Sequence, residues 1–162
     1  MTLGRTPSQT VGPFFSIGLD RRTADVLVAP DSAGALRVGG RLLDGQGTPI
    51  EDGLIEVWSA AANAWGRCGT GPGGTFGFVL AKPPATGEEA PHYEVVVHAR
   101  GLLRHQLTRF YFPDEANANA ADPLLRSLQE AERATLVAQQ DDDGLRFDIR
   151  MQGENQTVFF AH

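Results

Sequence analysis

Nineteen glycines and ten prolines are spread along the whole 162-residue chain. They leave little room for long helices, because glycine weakens a helix interior and proline removes a donor and clashes with the preceding turn. Turn signals recur at Asp44-Gly45-Gln46-Gly47, Gly71-Pro72-Gly73-Gly74 and Asp142-Asp143-Gly144. Short apolar segments between such turns predict an all-β sandwich or barrel. The strands are expected over residues 35–43, 54–59, 75–80, 92–100, 106–112, 145–151 and 156–160. One stretch reads as helix: Asp122 is an N-cap with Pro123 at the first helical position, and Leu124, Leu125, Leu128 and Ala131 fall on one face. A second short piece is expected over 130–138. These helices read as a cover over one side or end of the sandwich. Residues 1–20 read as an extended arm, since Pro7 and Pro13 bias the residues before them away from helix. The expected organisation is this arm (1–20) followed by one domain (21–162).

Fourteen basic against twenty acidic residues give a net charge of −6, so no nucleic-acid footprint is visible. An acidic chain that handles an anionic substrate needs basic residues placed locally against its own field. Cys68 is the sole cysteine; it excludes an internal disulfide and reads as a small hydrophobe in a glycine-rich loop rather than a catalytic thiol. No run approaches the length of a membrane span, and the expected location is the cytoplasm.

The segment from His92 to Arg100 carries most of the chemistry. Side chains alternate along a strand, so Tyr93, Val95, Val97 and Ala99 are expected to face the core, and His92, Glu94, Val96, His98 and Arg100 to face outward. The outward row lines either a polar cavity or interface, or an ordinary solvated face. His92 and His98 cannot share one ion, because six residues of strand separate them by about 20 Å. His92 and Glu94 can approach one another, but two ligands are too few for a tight site.

Several segments in order resemble the intradiol ring-cleavage dioxygenase family. They are Pro7-Ser8-Gln9-Thr10-Val11-Gly12-Pro13-Phe14-Phe15, Glu56-Val57-Trp58-Ser59-Ala60, Ala90-Pro91-His92-Tyr93-Glu94, Ala99-Arg100-Gly101, 108–115 and 146–154. The resemblance spans roughly residues 6–160. It implies a prealbumin-like β-sandwich of two mainly antiparallel sheets. It also implies iron(III) chemistry, in which two tyrosines and two histidines hold the ion and the hard phenolate oxygens stabilise the ferric state. This chain departs from that ligand set. The first tyrosine position falls at Gly66, beside Trp65; no tyrosine occurs over 82–90; His92 matches the first histidine; Glu94 replaces the second. Glu89 stands where the metal-holding members have an arginine. The chain therefore resembles the non-metal, alpha-subunit branch, whose complexes cleave protocatechuate (3,4-dihydroxybenzoate) with O2. Its expected partner is a homologous beta subunit carrying the Tyr/Tyr/His/His ligands and the Fe(3+), in a higher-order hetero-oligomer.

The same resemblance implies that Thr10, Gly12, Pro13 and Arg100 reach the partner's site and bind substrate there. The chemistry suits the role: glycine permits close backbone approach, proline fixes the arm, threonine offers a hydroxyl, and arginine pairs with a carboxylate. The alternatives are an arm packed without substrate contact and an Arg100 engaged in a surface or intersubunit ion pair. Arg146, Asp148 and Arg150 read as an ion-pair ladder opposite Phe147, Ile149 and Met151. Phe14, Phe15, Phe159 and Phe160 either complete the core or meet a partner chain. Two other functions stay open on the residues alone. One is a self-sufficient metalloenzyme that recruits His92, Glu94 and His98. The other is a β-sandwich binding or structural module without a dioxygenase role.

Overall fold

The structure, a computed structural model, describes residues 4–12, 14–21 and 23–161. Two sheets face each other. One has the order β4-β1-β8-β7, with β9 also on β1, and the other has the order β3-β2-β5-β6. In chain order the strands are β1 Ala35–Leu43, β2 Leu54–Ser59, β3 Ala64–Gly69, β4 Thr75–Ala81, β5 His92–His98, β6 Gln106–Tyr111, β7 Gln139–Asp141, β8 Gly144–Arg146 and β9 Ile149–Arg150. Four short helices accompany them: α1 Phe15–Leu19, α2 Ala116–Ala121, α3 Pro123–Ser127 and α4 Glu130–Ala134.

The sandwich forms because alternate residues on each strand are apolar and large. Val38, Leu42, Ile55, Val95, Phe110 and Phe147 meet between the sheets and are almost wholly buried. Tyr93 and Phe110 are cross-strand partners, and their rings stack with centroids 5.4 Å apart. On β5 the expected alternation holds: Tyr93, Val95, Val97 and Ala99 are buried, while His92, Glu94, Val96 and His98 are half-buried and Arg100 is exposed. The strand ends at His98 rather than Arg100. The backbone turns at Gly101, whose φ of +89° suits glycine.

The stretch read as an extended arm contains the helix Phe15–Leu19, so its extended part ends before Phe15. Three further differences from the sequence reading have local causes. Residues 64–69 form a strand, although their glycines suggest a loop. A four-residue connection with Asn63 at φ +47° folds β3 onto β2, pairing Trp58 with Trp65 and Val57 with Gly66. Cys68 thus lies on a strand, packed against the core. The expected strand 145–151 is divided. β8 and β9 both run parallel to β1, but at Asp148 a side chain replaces the ladder, its Oδ1 accepting the Arg41 N–H at 3.0 Å. Opposite this point a Cβ on Gly40 would lie 1.9 Å from the Phe147 carbonyl oxygen, so only glycine lets β1 pass. Residues 156–160 form one isolated bridge, Phe160 to Leu107, and otherwise hold on through bonds at Thr157 and Val158, not as a full strand.

Helices α2 to α4 cover one end of the four-stranded sheet. Leu125 and Leu136 pack with Ala90 and Tyr111 in a second apolar cluster, joined by Leu124 and Leu128. Ala131 does not join that face; it is exposed, because α3 stops at Leu128 and α4 begins again after Gln129. Gln129 and Glu132 form a reciprocal cap. The Asp122 cap does more than start α3. Fully buried, its carboxylate accepts the N–H groups of Leu124 at 2.9 Å, Leu125 at 3.0 Å and Ala90 at 2.9 Å. It thereby ties the helix to the segment that leads into His92.

Candidate functional site

Two places on the four-stranded sheet carry the residues singled out by sequence, and they lie at opposite ends of β5. At the start of β5, His92 and Glu94 line a small cavity of about 130 Å³ with Trp58, Pro84, Thr86 and Glu89. Alternation puts Arg109 of β6 on the same face, opposite Glu94 in the register. Its guanidinium meets one Glu94 oxygen through Nε at 2.9 Å and Nη2 at 2.7 Å, and reaches Glu89 through Nη1 at 3.2 Å. One cationic side chain therefore bridges the two carboxylates from within the protein.

The electrostatics follow from that pairing. Burial pushes the Glu94 carboxyl up, but hydrogen bonds from His92 and Arg109 and their charges outweigh it and hold the group below the usual carboxylate range. Burial works against the Arg109 charge, yet Tyr111 and Glu94 more than compensate and its pKa is raised. His92 Nδ1 lies 2.7 Å from the Ala90 carbonyl; since a carbonyl can only accept, Nδ1 carries the proton and Nε2 faces Glu94 at 3.7 Å.

These residues do not fit a ferric ion. Glu94 and Glu89 already serve Arg109, which leaves one imidazole nitrogen. Gly66, at the first tyrosine position, is buried against Leu27, where a Cβ would meet Leu27 Cδ1 at 2.4 Å. A tyrosine does approach the cavity, which the sequence reading missed: Tyr111 packs on His92 with ring centroids 5.4 Å apart. The alternation of β6, with Arg109 and Tyr111 on one face, is the signal that places it there. Its hydroxyl points to Asp122 at 3.5 Å and accepts from Arg109 at 3.4 Å. Burial pushes its pKa up to about 12, so it stays a neutral phenol. Tyr93 points into the core, donating to the Ala81 carbonyl at 2.9 Å. Among the described residues no group of three or more His, Cys, Asp or Glu side chains is arranged to hold a metal. His98 is paired elsewhere, 3.5 Å from Glu56, so His92, Glu94 and His98 do not converge.

The second place is at the far end of β5. Here the arm crosses the turn after the strand, and the Thr10 hydroxyl accepts the Gly101 N–H at 2.8 Å. This brings Thr10 beside Arg100, 90 residues away in sequence. The neighbouring Gln9 and Val11 line a cavity of about 290 Å³ with His98, Leu102, Arg104 and His105. Arg100 is exposed, and its Nε pairs with Asp52. Gly12 is exposed, with open space where a side chain would be; Pro13 lies outside the described residues. Of the other readings, Arg146 and Asp148 do pair, at 3.3 Å. Phe159 packs on the main core and Phe160 on the helical cluster. Phe14, at 75% exposure, packs on neither.

No protein-family profile matches the chain. It is 38% identical to the protocatechuate 3,4-dioxygenase alpha chain of Burkholderia cepacia, with 98% of both chains covered. It is 36% identical to the alpha chain of Pseudomonas putida, covering 98% of this chain and 96% of that one. It is also 27% identical to the Burkholderia cepacia beta chain, covering 74% of this chain and 65% of that one. Among solved structures, the dioxygenase domain of a carbohydrate-binding fusion from Streptomyces sp. SirexAA-E superposes with a TM-score of 0.60 at 22% identity, over 93% of this chain and 99% of that one. The hydroxyquinol 1,2-dioxygenase of Pseudomonas putida DLL-E4 gives 0.58 at 19% identity, over 95% and 68%. At these identities the two structures speak for a shared fold. Among the described residues no helix is long and apolar enough to cross a membrane.

Proposed function

The chain belongs to the alpha chains of protocatechuate 3,4-dioxygenase, and from that premise we propose that it completes, from outside, an iron site held by a homologous beta subunit. The complex cleaves 3,4-dihydroxybenzoate with O2 between the two hydroxyl-bearing carbons, giving 3-carboxy-cis,cis-muconate. The Fe(3+) is bound by two tyrosines and two histidines of the beta subunit. This chain supplies walls and charge: the arm of residues 1–20 with Thr10, Gly12 and Pro13, and Arg100 for the substrate carboxylate. The cytoplasm is the compartment we assign to the complex.

The observation that carries this reading is the separation of the two places. His98, next to Arg100, is six residues from His92 on an extended strand, so the ends of β5 lie about 20 Å apart. The arm and Arg100 are thus too far to serve the cavity of their own chain, and that cavity already holds its own cation in Arg109. Arg100 stays exposed beyond its Asp52 contact and lies beside an arm fastened through Thr10, which supports a role toward another molecule.

Kinetics of the assembled complex test it. Arg100→Ala is expected to raise KM for 3,4-dihydroxybenzoate about tenfold, the worth of a charge-assisted hydrogen bond. It should leave kcat close to wild type and leave turnover of catechol, which lacks the carboxylate, unchanged. Equal KM values for wild type and variant on the carboxylated substrate refute the role of Arg100.

A further inference from the structure

Arg100 is a long, exposed side chain, and such a group normally samples many rotamers. Here one contact holds the backbone beside it and another meets its head group. Thr10 fastens the backbone at Gly101, and Asp52, in the turn between β1 and β2, meets the guanidinium at Nε. Nε is the inner corner of the fork. Asp52 approaches the guanidinium at Nε, and among the described residues neither Nη1 nor Nη2 donates a hydrogen bond within the chain. A carboxylate takes two nitrogens of a guanidinium side by side, so an aspartate held at Nε leaves the Nη1–Nη2 edge for a second carboxylate, on a side chain that is 57% exposed.

We propose that Asp52 is a positioning residue: it holds Arg100 so that the free edge of the guanidinium receives the substrate carboxylate. This rests on the reading of Arg100 given above and adds a residue from a different loop. Asp52 is the more sheltered member of the pair, its side chain 29% exposed against 57% for Arg100. Its own charge opposes an incoming carboxylate. The orienting contact and the opposing charge therefore act in opposite directions on KM, and two substitutions separate them. Asp52→Asn keeps an oxygen that accepts from Nε and removes the charge. Asp52→Ala removes both.

The test uses the complete alpha–beta complex and steady-state kinetics with 3,4-dihydroxybenzoate and with catechol. Asp52→Ala is expected to raise KM for the carboxylated substrate about two- to fivefold, the scale of one exposed ion pair, with kcat unchanged. Asp52→Asn should hold KM at or below the wild-type value. Neither change should affect catechol turnover. In an Arg100→Ala background Asp52→Ala should add nothing, the non-additivity expected of two residues acting through one contact. A KM for Asp52→Ala at or below wild type overturns the inference while leaving the role of Arg100 intact, and so does an equal increase in both backgrounds. An unchanged KM for Arg100→Ala alone overturns both. Iron content and subunit ratio of each variant complex serve as the check on folding: loss of assembly with Asp52→Ala but not Asp52→Asn marks Asp52 as structural and also counts against the inference.

Discussion

Replacing Arg109 by methionine removes the cation from the cavity at the start of β5 and leaves Glu94 and Glu89 facing each other across it. Methionine keeps the aliphatic bulk, so the change isolates charge and hydrogen bonding. Breaking a buried ion pair from one side costs about 3–5 kcal/mol, because the remaining charge stays desolvated. Here Arg109 is 17% exposed but Glu94 is 34% and Glu89 44%, so water relieves part of that penalty. A loss of about 2–3 kcal/mol is the expected result. For a chain of this size that lowers Tm by about 5–10 °C. Urea denaturation monitored by tryptophan fluorescence measures it directly. Two further readings belong to the same experiment. With Arg109 gone the Glu94 carboxyl rises, since burial now outweighs its remaining partner. In the wild type the depressed carboxyl contributes stability that is present above its unfolded value and is lost as pH falls through the folded one. That acid-side slope should flatten in the variant. Adding Glu94→Leu should then recover most of the lost stability, because the stranded carboxylate is gone. A single variant within about 0.5 kcal/mol of wild type, or a double variant no more stable than the single, contradicts the charge-neutralisation reasoning.

Asp122→Ala removes three backbone hydrogen bonds to one buried carboxylate, and it should cost about 3 kcal/mol or more in urea denaturation, above the usual value of a helix cap. On the alkaline side, burial raises Tyr93 and Tyr111 each to about 12; stability from keeping them neutral is complete below their unfolded value near 10 and is lost as pH rises through about 12. Absorbance at the tyrosinate band should therefore rise together with unfolding rather than before it. Tyr93→Phe should cost about 1 kcal/mol, for the Ala81 carbonyl left without its donor.

Much of this architecture can be read from the chain because its strands obey strict alternation. The inward and outward rows of β5 follow from the order of His92 to Ala99 alone, and the start of α3 follows from Asp122-Pro123. That the resemblance puts Gly66 and Glu94 at ligand positions is likewise read from residue identity alone. What the sequence does not reveal depends on pairing across distance. Nothing local to Arg109 says that its guanidinium stands beside Glu94 and Glu89; the register of β5 against β6 decides it. Nothing local to Asp52 points to Arg100, nor to Thr10 fastening Gly101. Strand β3 escapes notice because Gly66 and Gly69 imitate a loop, although Gly66 is there to admit Leu27. The break between β8 and β9 comes from a side-chain oxygen taking the place of a backbone one.

The account turns on which chain holds the iron. The direct measurement is elemental analysis of this chain purified alone, of its beta partner, and of the coexpressed complex, each after removal of loosely bound metal. The account predicts no stoichiometric iron in the isolated chain, and one ferric ion per alpha–beta pair in a coloured complex that cleaves 3,4-dihydroxybenzoate. Tightly bound iron at one per chain in the isolated protein, lost on substitution of His92, would contradict it.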